Sequence, residues 1–174
     1  KRIVYTSLLK ADTTQLGLGP EHVATEAAIK ASGLDYTILR NGWYTENYTA
    51  NLAGTVQAGT LIGSAGEGKI ASASRQDFAE AAVAVLTSEG HTNKTYELAG
   101  DEAYTLADLA QILSQQAGKE IPYVNLPEQE YSAALEGVGV PKPFADMLAN
   151  CDVCASQNDL FDDQKTLSQL IGRP

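Results

Sequence analysis

Residues 2–39 read as a strand, a helix and a strand joined by short connections, and few folds accept that pattern. RIVYTS (Arg2 to Ser7) is apolar and rich in β-branched residues. A loop containing Gly17 and Gly19 leads to Pro20, which suits the first turn of a helix through EHVATEAAIKAS. Gly33 can supply the left-handed residue that ends this helix. DYTIL (Asp35 to Leu39) is the second strand. Strands joined in this way pair in parallel through a right-handed crossover. Both strands are apolar with little alternation, as in a sheet covered on both faces. The expected class is α/β, with part of a doubly wound parallel sheet and a smaller α/β lobe.

Beyond this unit the pattern is less regular. A helix is predicted over Glu46 to Gln57. TLIGSAGEGKIASAS, with Gly63, Gly66 and Gly68, suggests a hairpin or two short strands. SRQD (Ser74 to Asp77) and TLAD (Thr105 to Asp108) resemble capping boxes with Asp in the usual Glu position, each before an Ala- and Leu-rich run. Lys94 to Ala99 and Ile121 to Val124 read as strands. PEQEYSAALEG, PFADMLANC and DDQKTLSQLIG read as helices, the last with Asp162 and Asp163 at its start. We therefore divide the chain into lobes at 1–60 and 61–174. KRIVYTS begins a strand with no lead-in, and the chain is expected to be a fragment of a longer protein.

The formal charge is −10, spread along the chain, which disfavours nucleic acid and anionic lipid as partners. No apolar run approaches the roughly 18 residues that span a bilayer, so a cytoplasmic protein is expected. Two cysteines, both in CDVC (Cys151 to Cys154), are too few for a disulfide framework.

In open α/β sheets, ligands bind outside the carboxyl ends of the strands. TSLLKAD (Thr6 to Asp12) follows the first strand and RNGWYTENY (Arg40 to Tyr48) follows the second. The second loop offers the Asn41 amide, backbone N–H groups near Gly42, and the aromatics Trp43 and Tyr44. That set suits a planar heterocycle such as a nicotinamide or a quinone; alternatively, the two rings seal the join to the second lobe. His22 and Glu26, one helical turn apart, form a solvated pair or half of a metal site that lacks a third ligand. CDVC would need two further ligands to bind zinc. No metal site is expected. Arg75 and Asp77 are read first as helix-start residues.

YTSLLKAD, the helix opening EHVATE, LRNGWYTENY, GEGKIASASRQDFAEAA, YELAGDEAYTLADLA and FDDQKTLSQLIGRP occur in this order. Together they resemble the C-terminal two-thirds of an NmrA-like atypical short-chain dehydrogenase/reductase, and within that family the bacterial NAD(P)H-dependent quinone reductases. The resemblance implies a Rossmann-like NAD(P)-binding lobe, with residues 1–60 as its C-terminal part, and a substrate lobe over 61–174. It implies NADPH or NADH as cofactor and a quinone as substrate. The cofactor contacts it implies are Asn41, Gly42, Trp43, Tyr44, Thr45 and Glu46, with Ser7 and Leu8 beside the pocket.

Two departures qualify it. The Gly-rich dinucleotide fingerprint is absent, and the Gly63, Gly66, Gly68 triplet has the wrong spacing for it. No Tyr is followed four residues later by Lys, and His22 and Glu26 stand where that pair is expected. A carboxylate cannot lower a Tyr pKa as a Lys cation does, so alcohol-dehydrogenase chemistry is disfavoured and the catalytic residues are left unassigned. Hydride transfer to a quinone needs less, because water can supply the proton. Two further readings remain: an NADP-sensing regulator without turnover, and a folded remnant with neither activity. The first strand is expected at a sheet edge, where it would support a homodimer or strand-swapped oligomer.

Overall fold

The opening strand, helix and strand form the parallel unit that the sequence pattern predicts. A computed structural model describes all 174 residues. In chain order they form β1 (Arg2–Leu8), α1 (Gly19–Ala31), β2 (Asp35–Asn41), α2 (Glu46–Thr49), α3 (Leu52–Ala58), β3 (Leu61–Gly63) and α4 (Arg75–Thr87). Then follow β4 (Lys94–Leu98), α5 (Leu106–Ala117), β5 (Tyr123–Asn125), α6 (Glu128–Gly137), α7 (Lys142–Ser156) and α8 (Thr166–Ile171).

Two compact units alternate along the chain. The first comprises Lys1–Asn47, Ala71–Ala103 and Leu160–Pro174; the second comprises Tyr48–Ile70 and Tyr104–Asp159. The contiguous division at residue 60 therefore gives way to an interleaved one. The physical reason is strand pairing: β4 adds to β2, and Leu167 of α8 packs in the same core as Leu39 of β2.

The first unit holds a sheet of order β1-β2-β4, parallel throughout. Register sets its two faces. Ser7, Arg40 and Glu97 form one row across the strands, and Leu8, Asn41 and Leu98 form the next. Side chains alternate between faces along a strand, so these rows point in opposite directions. On one face Val4, Leu39, Tyr96 and Leu98 pack with Phe78, Ala81 and Val85 of α4. The other face meets α1, whose buried residues include Glu26 and Ile29.

In the second unit β3 and β5 pair in parallel. The stretch 60–74 is thus not a local hairpin, because β3 takes its partner from far along the chain, Leu61 pairing with Tyr123. Gly68 lies so close to α7 that an added Cβ would meet the Ala155 carbonyl oxygen at 2.0 Å. That glycine serves packing.

Several element limits differ from prediction, and at three places the contacts give the reason. β2 runs through Asn41 rather than ending at Leu39, because Arg40 and Asn41 both pair with neighbours on each side. The helix predicted over 46–57 is broken into α2 and α3, since Asn51 adopts a non-helical φ of −129°. Asp162 and Asp163 do not start the last helix. Asp162 instead accepts the Gln164 N–H at 3.1 Å, and α8 begins after Lys165 in a left-handed conformation. Both capping boxes form as read, Ser74 with Asp77 and Thr105 with Asp108. No helix is long and apolar enough to cross a membrane.

Candidate functional site

At the carboxyl ends of the strands, the predicted loop continues the sheet. Gly42 N–H donates to Leu98 O at 2.8 Å, Ala73 N–H to Trp43 O at 3.1 Å, and Thr45 N–H to Ala73 O at 2.9 Å. Gly100 N–H donates to Ala71 O at 2.9 Å. Segments 41–45, 71–73 and 98–100 are thereby knitted together, and the glycines permit the closest approaches. A Cβ on Gly42 would meet Leu98 O at 2.9 Å, and one on Gly100 would meet Ser72 O at 2.2 Å.

The side chains of this loop divide by task. The Arg75 guanidinium lies 4.0 Å over the Tyr44 ring, a cation–π contact, and Phe78 meets that ring edge-on at 5.4 Å. Tyr44 is therefore held within its own unit. Thr45 Oγ1 lies 2.9 Å from Ser72 Oγ. Glu46 accepts the Arg75 N–H with both carboxylate oxygens, at 3.0 and 3.1 Å, and so neutralises the first exposed donor of α4. Trp43, the single tryptophan, is half-buried. Asn41 is 7% exposed, and its buried Oδ1 accepts no hydrogen bond within the chain. An orphaned buried acceptor costs about 1–3 kcal/mol, so Asn41 is poorly explained by packing.

Leu8 is the register partner of Asn41, one residue beyond the Ser7–Arg40 pair. Ser7 itself separates from the predicted set. Its hydroxyl donates to Glu26 Oε1 at 2.7 Å, on the α1 side of the sheet. There Arg40 donates from Nε to Glu26 Oε1 and from Nη2 to Glu26 Oε2, both at 2.8 Å. Its Nη1 donates to Asp12 Oδ1 at 3.0 Å and to Glu97 Oε1 at 2.8 Å. Lys30 adds a bond to Glu26 Oε2 at 3.2 Å. Burial alone would raise the Glu26 carboxyl, but the Arg40, Ser7 and Lys30 bonds outweigh it and hold the group at about 2. The bond to Glu26 likewise raises Arg40 above its ordinary value, against the effect of burial.

This network corrects the reading of His22 and Glu26 as a solvated pair. Glu26 is 2% exposed and belongs to Arg40, while His22 Nδ1 lies 2.8 Å from the Tyr5 hydroxyl. The two residues share a helix face, but His22 meets Tyr5 of β1 while Glu26 meets Ser7 of β1 and Arg40 of β2. Sequence reading also missed Asp152. It is buried in the second unit, where its Oδ2 accepts the Ser64 N–H at 2.8 Å. Burial pushes this carboxyl up to about 6, opposed by the Ser64 bond. Both cysteines of CDVC lie buried on α7, and burial raises both thiols, Cys151 to about 12 and Cys154 to about 11. Neither suits a thiolate nucleophile. Of all these, the in-phase row of Ser7, Arg40 and Glu97 was the one signal in the sequence, and it needed the register to be visible.

Comparison with known proteins extends the geometry. The family model described as NAD(P)H-binding matches residues 1–89. Over 174 residues the chain is 56% identical to quinone oxidoreductase 2 of Escherichia coli (strain K12) and covers 61% of that protein. The crystal structure of the NADPH-dependent quinone oxidoreductase of Escherichia coli complexed with NADPH matches 100% of the chain and 62% of its own chain, with TM-score 0.97. Triphenylmethane reductase of Citrobacter sp. complexed with NADP(H) is 36% identical, matching 99% of the chain and 61% of its own with TM-score 0.94. The chain thus spans about three-fifths of the length of these relatives.

Proposed function

Because the chain belongs to the NAD(P)H-binding family, whose model matches more than half of it, we propose that it forms the nicotinamide-side and substrate-side part of an NADPH-dependent quinone reductase. The observation that carries this reading is Asn41 Oδ1, a buried acceptor without a donor at the carboxyl end of the central strand. Its chemistry fits the amide end of a nicotinamide. Gly42, whose missing side chain lets Leu98 O pack against it at the end of β2, seats the turn that follows Asn41. Leu8 and Trp43 provide apolar walls, and Tyr44, Thr45 and Glu46 hold the loop that carries them. The first unit is the cofactor lobe and the second the substrate lobe. The 56% identity to quinone oxidoreductase 2 supports a quinone as the acceptor.

When bound, a reduced nicotinamide supplies the hydride, and the quinone takes that hydride and one proton to become the hydroquinone. The residues of this chain bind and orient both reactants, and water supplies the proton, so no side chain is assigned as acid or base. NADPH oxidation by the chain with a benzoquinone acceptor tests this, and a rate well above the uncatalysed one is expected. Tight NADP binding without oxidation would favour a sensor, and neither binding nor oxidation would reject both readings. The site of action is the cytoplasm. The outer edge of β1, the terminal strand of its sheet, pairs with a second copy; a monomeric mass by light scattering at high concentration would refute that.

A further inference from the structure

Arg40 is almost fully buried yet contacts three carboxylates drawn from three parts of the chain: Glu26 on α1, Asp12 after β1, and Glu97 on β4. A buried ion pair of this kind is weak evidence for stability, because desolvation offsets its attraction and a well-packed apolar side chain often does as well. Its geometry is more informative. Glu97 turns one oxygen to Arg40 and the other to the backbone N–H of Lys10, at 2.8 Å each. Lys10 has φ of +53°, a left-handed conformation that a side chain disfavours, so the turn needs an external hold. That turn is closed by Ala11 N–H to Leu8 O at 3.0 Å and by Thr13 and Thr14 N–H to Lys10 O at 2.9 and 2.8 Å. It is fastened to β2 by Leu9 N–H to Asn41 O at 2.9 Å. The planar fork of an arginine suits this task, since a lysine cannot reach three carboxylates at fixed angles.

We propose that Arg40 is a positioning residue for the cofactor site: through Glu97 and Asp12 it sets the turn of residues 8–12, and with it Leu8, against Asn41. This rests on the reading of Asn41 and Leu8 as nicotinamide-side contacts. Arg40 touches no reactant. It acts from the opposite face of the same strand, one residue before Asn41.

The test is a calorimetric titration of NADPH into the full chain and into the variants Asp12→Ala, Glu97→Gln and Arg40→Lys, with the melting temperature of each. Asp12 discriminates best, because its side chain is 61% exposed and such a pair adds little to stability. Asp12→Ala is expected to melt with the parent yet bind NADPH about fivefold more weakly, and Arg40→Lys about a hundredfold more weakly. The double variant is expected to bind no more weakly than Arg40→Lys alone, since the two residues act as one device. If the parent binds and both Asp12→Ala and Glu97→Gln bind equally well, the inference is overturned while the cofactor reading stands. If the parent binds no NADPH, both fall.

Discussion

Asn41 is costly to the fold, and on the proposed reading that cost serves the site. Its side-chain oxygen is buried without a donor, so Asn41→Leu, close in shape, is expected to leave the chain as stable or up to about 2 kcal/mol more stable. The same change is expected to abolish NADPH binding. Thermal melting and an NADPH titration on one sample check both halves. Two buried carboxylates respond to pH in opposite directions. Glu26 is held at about 2, below its ordinary 4.5, so its contribution is full above 4.5 and is lost as the pH falls toward 2. Glu26→Ala, which removes the bidentate partner of Arg40 and leaves it Asp12 and Glu97, is expected to cost about 3 kcal/mol near neutral pH by urea unfolding. Asp152 is pushed up to about 6 from an ordinary 3.8, so its contribution is full below 3.8 and is lost as the pH rises through 6. Asp152→Asn, which keeps an acceptor for Ser64, is therefore expected to be about 2–3 kcal/mol more stable than the parent near pH 8. Near pH 4 the two should unfold alike, as denaturation at both values would show. The Asn41 amide was legible as a candidate contact, whereas the partners of Glu26, Arg40 and Asp152 were not. An Arg after YTIL looks misplaced until the ladder sets Ser7 and Glu97 beside it.

Elements governed by local chemistry were legible, and those governed by distant pairing were not. Both capping boxes could be read because a side chain three residues away completes each. Ser74→Ala is expected to cost about 1 kcal/mol, measurable by chemical unfolding, and it would also loosen the α4 start on which Glu46 and the site loop rest. The break between α2 and α3 falls at Asn51, the N-cap of α3 and a residue type that favours such positions, so a local mark was present and was passed over. The partner of β3 was hidden for a different reason: parallel pairing to β5 leaves no turn signal between the strands. In the candidate site, the loop from Asn41 to Glu46, whose cofactor role is a proposal, was singled out from its position after a strand. The engagement of Tyr44 by Arg75 was not, because those residues belong to different elements.

At the scale of the whole chain, the α/β class and family were carried by the opening unit and an ordered set of motifs, while the division into units was not. The chain passes between its two units repeatedly, and composition is blind to which strand will pair with which. The central claim concerns one place in the first unit: the turn from Asn41 to Glu46 borders the nicotinamide end of a bound dinucleotide. Trp43 is the single tryptophan and lies in that turn, so its emission during an NADPH titration reports on the claim directly. Saturable quenching with energy transfer to the reduced nicotinamide, tracking the binding isotherm, is the expected result. Binding detected by dialysis while Trp43 emission stays unchanged would contradict it.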